Sequence, residues 1–148
     1  MAQEHQNKTT PIVVYAGFWI RVAASAIDSL LIMAFTFPIL FLIYGKAYFS
    51  SSQLIVGPAD FIISWILPAT AVVLFWTKRQ ATPGKTIFSL RVIDADSGAP
   101  LSFGQSVRRY LGYFVSVMPF GLGLLWIGFD AKKQGWHDKL ANSIVVAE

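Results

Sequence analysis

RVAASAIDSLLIMAFTFPILFLIY, residues 21–44, decides the fold, and its second half from Leu30 to Tyr44 contains no charged side chain. With Trp19 and Ile20 in front it forms an apolar run over residues 19–44. About 20 helical residues span a bilayer's hydrocarbon, so this run predicts one tilted crossing. Tyr15, Phe18 and Trp19 at one end, and Tyr44, Tyr48 and Phe49 at the other, are spaced like interfacial aromatic belts. Pro38, late in the run, predicts a kink. Against that background Arg21 and Asp28 stand out, because an ionised group inside hydrocarbon is tolerated mainly where it faces protein or water.

Composition points the same way. The chain has 148 residues, of which 55% are hydrophobic and 14% charged, and its mean hydropathy is +0.55. The apolar residues fall in blocks, as in a small single-domain integral membrane protein. The absence of cysteine excludes disulfides, thiolate metal sites and a cysteine nucleophile. The net charge of +4 does not point to nucleic acid, since most basic residues flank apolar segments, where positive charge sets membrane orientation. No cleavable targeting peptide is read at the start: the apolar run is too long and ends without a small-residue cleavage pattern, so it predicts a retained anchor.

Gly57-Pro58 opens a second apolar run, and residues 60–77 predict a second crossing. Residues 109–129 are long enough for a third, yet Pro119, Gly121 and Gly123 punctuate their centre. The loop between the first two runs carries Lys46 alone, whereas residues 78–109 carry Lys78, Arg79, Lys85, Arg91, Arg108 and Arg109. The positive-inside rule therefore places residues 78–108 and the N-terminal tail, residues 1–16 with Lys8, in the cytoplasm. A full third crossing puts Lys132, Lys133 and Lys139 outside; a broken or re-entrant one keeps the tail, residues 130–148, inside. Both arrangements fit the length, and the central break together with the tail's charges favours the second. In the cytoplasmic stretch, residues 87–93 alternate like a strand, Ser102 with Gln105 matches a capping box for a helix from Phe103, and SIVVA at residues 143–147 is a second β-like run able to pair with LRVID. The fold class is thus an all-α membrane protein of two transmembrane helices and a third broken or re-entrant segment, with a small cytoplasmic β element.

Arg21, Ser25, Asp28 and Ser29 share one helical face, and Ala23, Ala24 and Ala26 around them let another element approach closely. Arg21 and Asp28 lie about 10 Å apart along the axis, so each needs a partner elsewhere. Arg21 has a plain alternative as an interfacial anchor, and Asp28 as a structural hydrogen-bonded residue. Arg108 and Arg109 read as basic residues facing lipid headgroups. GKT at residues 84–86 is no P-loop, because Arg79 stands where the motif needs glycine. His5 and His137 have no metal-ligand spacing, no Ser-His-Asp arrangement is present, and neither metal nor cofactor nor enzymatic activity is implied. His137 beside Asp138 has the chemistry of a proton relay, with an interfacial polar residue as the alternative. Asp94 and Asp96 read as turn residues.

The Arg21 to Asp28 spacing, RQATPGKTIFSLRVIDADSGAPLSFGQSVRRYLG at residues 79–112 and LLWIGFDAKKQGWHDKLANSIVV at residues 124–146 resemble the RDD family of small bacterial membrane proteins over nearly the whole chain. Mild departures are Ser89, where a glycine is usual, and Asn142-Ser143 in place of Gly-Thr. The resemblance implies that Arg21 and Asp28 are the name-giving arginine and first aspartate, and that the second aspartate is Asp138, with Asp130 the other candidate. It also implies a multi-pass protein of the bacterial inner membrane, with a suggested role in transport of a monovalent cation or proton. On that reading Arg21, Asp28 and Asp138 form the polar site, with Ser25, Ser29, Asp130 and His137 as contributors. Two or three segments are few for a path through the bilayer, so a homo-oligomer is expected. The rival expectation is a scaffold or accessory subunit in which Arg21 pairs with Asp138 to latch the tail onto the first helix.

Overall fold

The computed structural model describes residues 12–148. His5 and Lys8, in the expected N-terminal tail, lie outside the described residues. β1 (Val14–Tyr15) leads directly into α1 (Phe18–Tyr44), which runs through Pro38 and ends at Gly45. Gly45 takes a left-handed conformation, φ 69°, with its N–H on the Phe41 carbonyl at 2.8 Å. A single helical turn at Ala47–Ser50 precedes α2 (Pro58–Arg79), a 22-residue helix. α2 contains a π-helical turn over Ile62–Ile66, just ahead of Pro68, which has no N–H for the preceding turn. Both helices carry large apolar side chains toward the outside along their middles, Phe35 of α1 at 72% exposure and Leu67 of α2 at 54% among them. Such a surface is stable only against hydrocarbon.

After α2 come α3 (Pro83–Ile87), β2 (Leu90–Asp94), α4 (Phe103–Val117), α5 (Leu122–Gly128), α6 (Trp136–Leu140) and β3 (Ser143–Ala147). Residues 83–87 are helical, so the strand expected to begin at Ile87 starts three residues later; the cause is tertiary, as described below. The capping box at Ser102 and Gln105 forms with both its hydrogen bonds. Asp94 closes the turn after β2 by accepting the Asp96 and Ser97 N–H groups, and these bonds hold its carboxyl down to about 2.

The three strands make one antiparallel sheet in the order β1-β3-β2, with Val92 opposite Val145 and Tyr15 opposite Val146. SIVVA therefore pairs with LRVID as its pattern predicts, and Val14–Tyr15, read as part of a polar tail, adds an edge strand. The sheet gathers the segment before α1, the segment after α2 and the segment after α5 at one end of the α1/α2 pair. The third apolar block accordingly leaves that end and comes back to it: α4 and α5 meet at 110° across residues 118–121. Pro119 terminates α4, and Phe120 and Gly121 take left-handed conformations that turn the chain. Ala16, Ala24, Trp76, Leu90, Val92, Leu101 and Val145 form the core under the sheet, so packing is concentrated where the helices emerge.

Candidate functional site: a buried arginine–aspartate network

α6 is a five-residue helix, and its Asp138 carboxylate accepts the Gly135 N–H at 2.8 Å, capping its own first turn. The same carboxylate is gripped from two other elements. Arg21 of α1 donates through Nη2 to Oδ2 at 2.7 Å, and Arg109 of α4 donates through Nη1 to Oδ1. Asp138 and Arg109 are completely buried and Arg21 is 5% exposed. Burial by itself pushes the Asp138 carboxyl up, but the Arg109 and Arg21 guanidiniums outweigh it and hold the group far below the usual carboxylate range. Asp138 is thereby a permanent anion at physiological pH.

Further bonds fix the two arginines. Arg21 Nη1 donates to the Lys133 carbonyl at 2.8 Å and Arg109 Nη1 to Ser143 Oγ at 2.7 Å, so the pair ties α1 and α4 to the tail on both sides of α6. The Arg109 guanidinium also lies 5.0 Å from the Trp76 ring centre, which brings in α2. His137 stacks on Tyr113 with ring centres 3.9 Å apart. Its Nε2 is 3.0 Å from Arg21 Nη2. A guanidinium only donates, so Nε2 is the bare acceptor and the proton sits on Nδ1, 3.2 Å from Ser116 Oγ. Burial holds the His137 imidazole well below its ordinary range against the pull of Asp138, in keeping with a neutral ring.

Asp28 belongs to a different arrangement. Its Oδ2 accepts the Thr82 hydroxyl at 2.5 Å and its Oδ1 the Gly84 N–H at 2.7 Å, so it anchors the start of α3 from outside. This is the tertiary contact that makes residues 83–87 helical. α3 lies so close to α1 that a Cβ on Gly84 would stand 2.1 Å from the Ala24 carbonyl oxygen, which explains the glycine. Next to it Lys85 is 3% exposed, and among the described residues no carboxylate comes within ion-pair distance of its ammonium. Burial, reinforced by the like charges of Arg109 and Arg21, holds it below its usual range. Asp28 and Thr82 also line the end of a groove of about 300 Å³ between α1 and α2, otherwise walled by residues such as Phe35, Leu67 and Phe75.

The structure thus brings Arg21, Asp138 and His137 together and sets Asp28 apart from them, around α3. Ser25 and Ser29 face a second groove beside Arg21. Asp130 pairs with Lys139 at 2.9 Å near the surface. Arg108 is exposed as expected, but the expectation that Arg109 faces headgroups is corrected: it is the most enclosed cation of the network. The signal for this was present, since Ser106, Arg109, Gly112, Tyr113 and Ser116 fall on one face of a 3.6-residue helix. Sequence reading also passed over Asp60, buried near the remote end of α2, where it accepts Ser64 Oγ at 2.7 Å and the Val56 N–H at 2.8 Å. Among the described residues no cluster of side chains has the make-up of a metal site.

The model of the RDD family matches residues 15–142. The uncharacterized protein YxaI of Bacillus subtilis is 31% identical over 88% of this chain and 96% of its own length. The proline-rich antigen of Mycobacterium leprae is 30% identical over 60% of this chain but 37% of its own length, and the uncharacterized membrane protein YteJ of Bacillus subtilis is 24% identical over 90% and 82%. No solved structure matches.

Proposed function

This chain belongs to the RDD family, and from that premise we propose that it acts as a membrane scaffold or accessory subunit whose Arg21–Asp138–Arg109 network latches the C-terminal tail onto the membrane helices. The observation that carries the reading is that one buried carboxylate is held by arginines from two different membrane segments. A carboxylate so held does not exchange protons in the physiological range, which suits a fastener better than a carrier. The protein lies in the bacterial inner membrane with its sheet in the cytoplasm: Lys78, Arg79, Arg91, Arg108, Lys132 and Lys139 sit toward the sheet end, and among the described residues Lys46 is the one basic side chain at the other. With α1 and α2 both crossing, β1, β2 and β3 share one side, and the α4/α5 pair is re-entrant.

The test is protection of the tail. Inside-out vesicles carrying Arg109→Met should lose protease resistance in residues 130–148 while α1 and α2 stay inserted; unchanged resistance overturns the latch. A second reading, transport of a small cation or proton by a homo-oligomer, is favoured by Asp28, whose carboxylate meets the groove between α1 and α2. Liposomes with an internal pH dye decide it: flux abolished by Asp28→Asn supports transport, and no flux from well-inserted protein removes it.

A further inference from the structure

A groove of about 410 Å³ lies between α1 and α5 on the side of Arg21 away from α3, with Leu124 and Ile127 forming the opposite wall. Arg21, Ser25 and Ser29 line its α1 side at successive four-residue steps, about 6 Å apart along the axis. Arg21 is 5% exposed, and three of its five N–H groups go to Lys133, His137 and Asp138. The remaining two, Nε–H and one on Nη1, have no acceptor among the described residues. The Ser25 and Ser29 hydroxyls likewise have no partner there. Charge is unbalanced in the same direction: Arg21, Arg109 and Lys85 are buried near one another with Asp138 and Asp28 as the only nearby carboxylates among the described residues.

We infer that this groove binds one anionic phospholipid, with the phosphate at Arg21, the ester carbonyls at Ser25 and Ser29, and an acyl chain along Leu124 and Ile127. The order of groups is the point. Passing from the interface toward the bilayer centre, the α1 wall of the groove presents a cation and then two neutral hydroxyl donors, with apolar Leu124 and Ile127 across from them, and a phospholipid presents phosphate and then esters with its chain adjoining. A free phosphate matches only the first step, and the carboxylates of the long helices are engaged elsewhere, Asp28 by Thr82 and Gly84 and Asp60 by Ser64 and Val56. The inference rests on α1 crossing the membrane with Arg21 near the headgroups, but not on the latch, because the groove uses donors that the latch leaves free.

The test is native mass spectrometry of the purified full chain in detergent with phosphatidylglycerol or phosphatidylcholine added. One phosphatidylglycerol per chain should be retained, at least tenfold over phosphatidylcholine, and Ser25→Leu with Ser29→Leu should abolish retention at unchanged melting temperature. Ser25→Ala with Ser29→Ala, which leaves the groove open, should weaken it severalfold even if the bulkier variant fails to fold. Equal retention of the two lipids, retention untouched in both variants, displacement by inorganic phosphate at lipid-equivalent concentration, or a lipid-free dimer each overturns the site. Tail protection in the serine variants separates the outcomes, since it should stay intact whatever happens to lipid.

Discussion

Replacing Asp138 by asparagine removes one negative charge and almost no volume, and so isolates the electrostatics of the network. Asparagine keeps a single oxygen acceptor for the Arg21, Arg109 and Gly135 donors, and its amide NH2 must point at one of them. Two guanidiniums, 5% and 0% exposed, are then left without a counter-charge. Breaking a buried pair in this way costs about 3–5 kcal/mol. For a chain of this size about 2–4 °C accompanies each kcal/mol, so melting in mild detergent, followed by tryptophan fluorescence, should fall by about 6–20 °C. Asp130→Asn is the matched control. Its partner Lys139 is half-exposed, and the loss should stay near 1 kcal/mol. A charge exchange, Arg21→Asp with Asp138→Arg, should not rescue, because the new arginine faces Arg109. An Asp138→Asn protein within about 1 kcal/mol of wild type, or a rescued exchange, would refute the network as the element that holds the tail.

Three further outcomes follow from the same geometry. Because the His137 imidazole is held below its unfolded value near 6.5, its contribution is complete above about pH 6.5 and declines as pH falls toward the folded value, by at most about 1.4 kcal/mol per unit; His137→Gln should flatten this slope in melts from pH 7 to 5, and a flat wild-type profile contradicts the neutral ring. Gly84→Ala places a methyl group against the Ala24 carbonyl and should cost about 3 kcal/mol, whereas an unaffected melting temperature would mean that α3 does not seat on α1 as described. Lys85→Met removes a buried ammonium that has no ion partner among the described residues and should raise stability by about 1 kcal/mol or more in chemical denaturation, and a loss of stability instead would reveal a partner for the amine.

The elements legible without a structure were those fixed by local chemistry. Apolar run length gave α1 and α2, Pro119 with Gly121 gave the break between α4 and α5, Ser102 with Gln105 gave the start of α4, and alternation gave the β2 and β3 pair. Each depends on residues a few positions apart, and the bilayer imposes its own length on the apolar runs. Tertiary structure decided what depends on who meets whom. Alternation carried the strand back to Ile87 because nothing near Pro83 announces that Asp28, more than fifty residues earlier, caps α3. Arg109 and Arg108 are adjacent and chemically alike, yet one step of about 100° puts one in the core and leaves the other exposed. Arg21 and Asp28 share a face in sequence and part company in space, since two sides of α1 are covered by different elements. A charge within an apolar segment states that it must find a partner, because leaving it unpaired is so costly. Which partner it finds is settled only when the sheet draws three segments together around Asp138 at one end of the α1/α2 pair.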